Sequence, residues 1–133
     1  MRFLSLIFSV PLIACTSNPE TCAPVSLAGT WQASYEVVDG DCGALPPAAV
    51  TLNDDGLDTA STGCAIPPAS IPTDSCNRSF SYTCNQPAET RSYEGVVHLE
   101  TIRQLDVTIS TTTVDPTTNK QRCRGTYRVT YTR

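Results

Sequence analysis

The sequence predicts an all-β fold, an antiparallel meander of about five or six strands that forms a small barrel or a sandwich and is stapled by disulfides. Apolar and polar residues alternate with a period of two in four separate stretches, which is typical of strands with one buried face. No window of the sequence combines helical spacing with capping residues. Six cysteines, from Cys22 to Cys123, are available to cross-link such a sheet.

The first strand shows the clearest alternation. Its apolar positions are Trp31, Ala33, Tyr35 and Val37, with Gln32, Ser34 and Glu36 between them. Asp39-Gly40-Asp41 follows, and its turn chemistry predicts the end of the strand. A short second strand is expected at Val50-Thr51-Leu52.

Residues 39–78 differ in composition from the rest of the chain. They contain five of the ten prolines, four of the seven glycines and no aromatic residue. Because proline cannot donate to a sheet, Pro46-Pro47 and Pro67-Pro68 interrupt any long strand there. We expect long loops around one short strand. Loops of this length often carry function, and a stapled loop without a function is the alternative.

Asn53 to Asp58 places four side-chain oxygens close together, as in a calcium-binding loop. An EF-hand also needs an acidic residue before Asn53 and a glutamate further along, but Thr51 occupies the first position and no glutamate follows at the required distance. A β-turn is therefore predicted for this segment, and no metal site.

The remaining strands follow after residue 78. One contains Phe80, Tyr82 and Cys84 on a single face, and Gly95 to Ile102 forms another with a less regular pattern. The last two have the following apolar faces: Leu105, Val107 and Ile109, then Gly125, Tyr127, Val129 and Tyr131. Short turns between consecutive strands favour an up-and-down arrangement, and the edge strands need to be hidden by closure or stacking.

The position of two cysteines predicts one disulfide. If the first and last strands pair antiparallel, the end of the first lies beside the start of the last, and Cys42 and Cys123 are at those two places. We therefore expect a Cys42–Cys123 bond. The other four cysteines are Cys22, Cys64, Cys76 and Cys84, which allow three pairings, with a weak preference for Cys64–Cys76 and Cys22–Cys84.

The N-terminus has the layout of a secretion signal. Arg2 is followed by a twelve-residue apolar stretch, too short to span a membrane as a helix. Leu12-Ile13-Ala14-Cys15 resembles the lipobox of bacterial lipoproteins. That resemblance implies a signal peptide at 1–14, lipidation of Cys15, and a location in the cell envelope, with Thr16 favouring the outer membrane. Assigning Cys15 to the lipid leaves an even number of cysteines, whereas an ordinary signal peptide would leave one unpaired.

Cleavage before Cys15 leaves a tether at 15–27 and a β domain at 28–133. Without Arg2 the mature chain has 8 basic and 13 acidic residues, a net charge of 8 − 13 = −5. This sign argues against nucleic acid as a partner and against electrostatic attachment to anionic membrane. Attachment to the membrane is expected through the N-terminal lipid alone.

Two further segments resemble known families. Gly29-Thr30-Trp31 resembles the G-x-W element of lipocalins, in which the tryptophan packs across the closed end of a β-barrel. The C-terminal strand from Cys123 to Arg133 is similar to that of small myxobacterial lipoproteins. These resemblances imply a β fold and an envelope location. They imply no activity.

The last strand also contains a row of basic residues in an otherwise acidic chain. Lys120, Arg122, Arg124 and Arg128 fall on one side of it. This row could contact an anionic glycan, a lipid head group or an acidic envelope protein. The structural alternative, which we favour, is pairing with carboxylates such as Glu36 or protection of an exposed sheet edge.

The sequence predicts no catalytic residues and no cofactor, because it contains no nucleophile elbow, catalytic triad or phosphate-binding loop. His98 with Glu100 could form a base and its orienting acid, but an ordinary half-exposed strand histidine is favoured. We expect a non-enzymatic binding or structural module. One alternative is inhibition of a cationic enzyme such as lysozyme, since Ser92 to Gly95, with Tyr93 and Glu94, is loosely similar to a loop of lipoproteins that inhibit lysozyme. Another is transport of a small apolar ligand, which requires an internal cavity.

Overall fold

A computed structural model describes residues 26–58, 69–74 and 76–133. They form β1 (Gly29–Gly40), β2 (Ala48–Leu52), β3 (Ser70–Pro72), β4 (Asn77–Asn85), β5 (Thr90–Thr101), β6 (Gln104–Val114) and β7 (Gln121–Thr132). All seven belong to one antiparallel sheet with the strand order β2-β1-β7-β6-β5-β4-β3, and the sheet curls into a half-barrel. The predicted all-β antiparallel fold is confirmed.

The sheet is a meander that returns to its first strand. Strands β3 to β7 are neighbours in chain order, and β7 then pairs antiparallel with β1, so that Tyr35 lies opposite Val129. This places the end of β1 beside the start of β7. A disulfide joins Cys42 to Cys123 there, as predicted, with 5.1 Å between the Cα atoms.

Cys76 and Cys84 are also disulfide-bonded. Their predicted partners Cys22 and Cys64 lie outside the described residues, and so does Cys15, the predicted site of lipidation. The pairing of these cysteines therefore stays a prediction. Within residues 26–58, 69–74 and 76–133 there is no helix that could cross a membrane.

Strand lengths differ from the prediction at three places. β1 continues through the expected turn to Gly40 because a bulge after Val37 restores its pairing with β7. Gly40 has a φ of 106°, and a Cβ atom there would lie 2.1 Å from the carbonyl oxygen of Arg124, so only glycine fits this close approach. The sheet also gains a seventh strand, β3, and β5 begins five residues before Gly95.

The core lies on the concave side of the sheet. Alternate residues of each long strand point into it, and Trp31, Leu105, Val97 and Val129 are among its most buried side chains. Leu27 is 3% exposed and belongs to this core, although the sequence assigns it to the tether. The Trp31 indole Nε1–H donates to the carbonyl oxygen of Leu27 at 2.9 Å, which binds the start of the folded domain to β1.

The gap between the two edges of the half-barrel is bridged by the segment after β2. The Asp55 carboxylate accepts hydrogen bonds from the Arg78 guanidinium on β4, at 2.8 Å, and from the backbone N–H of Ser70 at the start of β3. Asn53 Oδ1 accepts from the backbone N–H groups of Asp55 and Leu57. The Asn53–Asp58 segment is thus a side-chain-stabilised turn that joins the two edges.

Candidate ligand-binding cavity

The concave side of the half-barrel contains a cavity of about 410 Å³. The chain has five tyrosines, and all of them line this cavity: Tyr35, Tyr82, Tyr93, Tyr127 and Tyr131. Its volume is within the range of about 300 to 1,000 Å³ that is usual for small-molecule sites. Sequence patterning placed four of these tyrosines on the apolar faces of strands but not Tyr93, and it did not show that the rings surround a space.

Strand periodicity explains how the rings come together. Tyr82 on β4 and Tyr93 on β5 are opposite each other in the ladder, and their rings stack with centres 5.0 Å apart. Tyr127 and Tyr131 are four residues apart on β7 and point to the same side. Tyr35 contributes the ring from β1. Aromatic rings therefore line the cavity both from β4 and β5 and from β7 and β1.

One end of the cavity is closed by the segment after β2. Gly56 and Leu57 line it, and Leu57 is 4% exposed. A Cβ atom on Gly56 would lie 2.9 Å from Leu27 and 3.4 Å from Val97, so the backbone there is in close contact with the core. We call this end the floor.

The opposite end contains the exposed lining residues. Leu45 and Pro46 belong to the segment that follows the Cys42–Cys123 disulfide, and the Arg91 side chain is 39% exposed. Arg91 is six residues from Val97 along β5, a span of about 20 Å at 3.3 Å per residue. We call this end the mouth.

The mouth has fixed polar contacts. The Tyr127 hydroxyl donates to the carbonyl oxygen of Gly43 at 2.9 Å and so attaches the 43–47 segment to β7. The Arg91 guanidinium donates to the Tyr93 hydroxyl at 3.4 Å and forms a close ion pair with Glu89 in the turn before β5. Tyr93 raises the pKa of Arg91 through this hydrogen bond, so the guanidinium stays charged.

Burial holds the hydroxyls of Tyr35, Tyr82 and Tyr131 in their neutral form. Burial raises the pKa of Tyr131 and of Tyr82 well above the usual value for tyrosine, and it raises that of Tyr35 to a smaller extent. The carboxylate of Asp58, which also lines the cavity, adds to the effect at all three. At neutral pH the walls therefore present uncharged hydroxyl groups that can both donate and accept hydrogen bonds.

Alkaline titration is expected to distinguish Tyr82 and Tyr131 from a tyrosine in the unfolded chain. In the native protein, phenolate absorbance from Tyr82 and Tyr131 should appear only above the pH at which tyrosine in the unfolded chain ionises, about 10. Because their pKa is raised on folding, their contribution to stability is complete below that pH and is lost as the pH rises towards the folded-state pKa. Tyr131→Phe should remove one of the late-ionising groups. Ionisation of Tyr82 and Tyr131 in the native protein at the ordinary pH would contradict this description.

Tyr93 and Glu94, the residues considered for enzyme inhibition, do not form a loop. Ser92 to Gly95 lies within β5, where Tyr93 opposes Thr111 and Glu94 opposes Ser110. Tyr93 points inward and is 9% exposed, whereas Glu94 points outward. The segment that resembles a loop of those lipoproteins is thus part of a strand here, which begins at Thr90.

The basic residues of the last strand do not form one continuous row. Lys120 precedes β7, and Arg122 lies at an irregularity in its pairing with β6 and bonds to Asp115 at 3.0 Å. Arg128 donates to Glu36 on β1, also at 3.0 Å, which is the pairing expected under the structural alternative. The backbone N–H of Arg124 donates to Asp41.

His98 lies on the outer face of β5, away from the cavity. Its Nδ1 is 2.7 Å from Asn77 Oδ1, and its Nε2 is 3.4 Å from Glu100. No cluster of three or more metal-ligating side chains occurs in the part of the chain that the structure describes. Comparison with protein-family models, with curated proteins and with solved structures finds no match for this chain.

Proposed function

We propose that this protein is a non-enzymatic binding domain that holds a small amphipathic molecule in the tyrosine-lined cavity. The cavity of about 410 Å³, with every tyrosine of the chain on its wall, is the observation that supports this proposal. A mainly apolar pocket with a few convergent polar groups is the usual form of a small-molecule site. A ligand carrier is one of the functions that the sequence suggests. The N-terminal lipid expected from the sequence would hold this carrier at the cell envelope.

The chemistry of the walls defines the kind of ligand. Ring faces favour flat or apolar groups, and burial of apolar surface contributes about 25 cal/mol per Å². The hydroxyls of residues such as Tyr35 and Tyr131 add neutral hydrogen-bonding groups. A ligand with an apolar body and a few polar atoms would match both features. A purely aliphatic ligand would offer no hydrogen-bonding group to the hydroxyls of Tyr35 and Tyr131.

Filling the cavity should abolish binding of a fluorescent apolar probe. Thr111 on β6 lines the cavity between Tyr93 and Gly125, whereas its neighbour Thr112 points to the outer face. We expect Thr111→Trp to weaken the binding of phenylnaphthylamine at least about tenfold, because the indole would occupy the space of the probe. Thr112→Trp adds the same ring outside and should bind as the parent does.

The measurement is the rise in probe fluorescence during titration of each folded protein. Thermal unfolding should be recorded for both variants, because overpacking costs about 1 to 3 kcal/mol and a partly unfolded variant would be uninformative. A parent protein that does not bind the probe would argue against the proposal. Equal binding by the two variants would show that the probe is bound elsewhere.

A further inference from the structure

We infer that the ligand of this cavity carries an anionic group, which the Arg91 guanidinium binds at the mouth. This inference rests on the proposed function and adds the charge and orientation of the ligand. Among the described lining residues, Arg91 is the one cationic side chain. It occupies an inward position on β5, in register with Thr113, which is 5% exposed.

A second inward-facing arginine provides the contrast. Arg78 is on the neighbouring strand β4, and its guanidinium is bound by Asp55 at 2.8 Å, where it joins the edges of the half-barrel. Arg78 therefore has a structural role that accounts for its position, and it does not line the cavity. Arg91 has no such role between strands, since Glu89 and Tyr93 are both within two residues of it in sequence.

Arg91 has hydrogen-bond donors left over after these contacts. A guanidinium has five N–H groups in a planar fork, which suits bidentate binding of a carboxylate, sulfonate or phosphate. One terminal nitrogen faces Glu89 and the other faces the Tyr93 hydroxyl. Each of these nitrogens has a second hydrogen. An anion at the mouth can therefore bind without displacing either partner.

Neighbouring hydroxyls add donors on the same side. The Tyr93 hydroxyl accepts from Arg91, so its own hydrogen is free to point at a ligand. Thr111 and Thr113 line the cavity opposite Tyr93 and Arg91 in the β5–β6 ladder. The mouth thus combines one permanent positive charge with three hydroxyl groups.

The position of Asp58 sets the orientation of the ligand. Asp58 follows Leu57 of the floor, and its charge raises the pKa of Tyr35 and Tyr131 among the lining tyrosines. An anionic group directed to that side would be repelled. The favoured orientation places the anionic head at Arg91 and the apolar body between the tyrosine rings.

Two probes with the same rings test the inference. Phenylnaphthylamine is neutral, and anilinonaphthalene sulfonate is the same ring system with a sulfonate group. We expect the parent protein to bind the sulfonate at least about tenfold more tightly, because hydrogen bonds to a charged group are stronger than those between neutral groups. Raising the salt concentration should reduce this preference, because the mouth is open to solvent.

Four substitutions distinguish the role of Arg91 from a structural effect. Arg91→Gln should lower the affinity for the sulfonate until it no longer exceeds that for the neutral probe, and Arg91→Lys should retain part of the preference. Glu89→Gln should increase affinity for the sulfonate, because it removes the competing carboxylate beside the guanidinium. Arg103→Gln, in the exposed turn between β5 and β6, makes the same change in net charge and should have no effect.

The two proposals fail in different ways. If both probes bind the parent equally, or if Arg91→Gln keeps the preference for the sulfonate, the inference is overturned while the cavity remains a binding site. If neither probe binds the parent, the proposed function fails together with the inference. Binding of the neutral probe also reports whether the Arg91→Gln variant is folded, since this probe binds only when the cavity is formed.

Discussion

Removal of the Cys42–Cys123 disulfide is expected to lower the free energy of unfolding by about 4 kcal/mol. The two cysteines are 81 residues apart in sequence, so their bond closes a long loop. The chain-entropy model assigns about 3 kcal/mol to a 15-residue loop and about 4.7 kcal/mol to a 100-residue loop. Small domains have only about 5 to 15 kcal/mol of stability in total. The double variant Cys42→Ala with Cys123→Ala should therefore unfold at much lower denaturant concentration.

The same change should also weaken ligand binding. Cys42 and Cys123 both line the cavity, and the 43–47 segment that follows Cys42 forms part of the mouth. Without the bond, that segment is held by the hydrogen bond from the Tyr127 hydroxyl to Gly43 and by the contacts of Asp41 with Arg124. We expect binding of the neutral probe to fall before the domain unfolds.

Equilibrium denaturation in urea gives the stability change, and probe titration of the folded double variant gives the binding change. Substitution is preferable to chemical reduction because Cys76 and Cys84 are disulfide-bonded as well, and reduction would break those bonds too. Tyr127→Phe is the matched control, since it removes only the hydrogen bond to Gly43. A loss below about 1 kcal/mol in the double variant would contradict the entropic argument.

This disulfide was predictable because it follows from one topological assumption. Alternation of apolar residues identified the first and last long strands, and antiparallel pairing between them is sufficient to bring Cys42 and Cys123 together. The strong period of two also located β4, β6 and β7 correctly. Each of these strands buries one face only, which is the condition under which periodicity is informative.

β3 and the first half of β5 were not predicted, because neither shows a regular alternation between a buried and an exposed face. β3 has three residues, and its central Ile71 is 70% exposed while Pro72 cannot donate to the ladder. The first half of β5 was not recognised because Arg91 points inward two residues before Tyr93, and a charged residue at an inward-facing position breaks the pattern of alternation. Such local departures from patterning are expected where a site is built.

The cavity itself could not be derived from the sequence. Inward-facing tyrosines are equally consistent with a filled barrel and with a lined one, and the difference depends on how far the sheet curls. The curled sheet contains close backbone contacts, such as the one between Gly40 and Arg124, and a pairing of Asp55 with Arg78 that joins its two edges. These are long-range contacts that periodicity does not report.

Trp31→Ala is expected to cost about 3 to 5 kcal/mol, the range for removing a large aromatic side chain from a core. Trp31 is 1% exposed and lies on β1 near Leu27, at the end of the domain where the floor of the cavity is located. The guanidinium of Arg133 lies 4.2 Å from the centre of its ring and covers it from the C-terminal side. The variant should be largely unfolded at temperatures at which the parent is folded.

Two milder variants separate the contributions of this tryptophan. Trp31→Phe retains most of the apolar volume but removes the indole N–H that donates to Leu27. Loss of this hydrogen bond should lower the free energy of unfolding by about 1 to 2 kcal/mol, in addition to the effect of the smaller apolar area. Arg133→Gln removes the cation above the ring and should cost about 0.5 to 1 kcal/mol. Thermal unfolding of the three variants should thus give the order Trp31→Ala, Trp31→Phe, Arg133→Gln, from largest loss to smallest. A Trp31→Ala protein as stable as the parent would show that the closed end does not depend on this ring, and the floor of the cavity would then need another explanation.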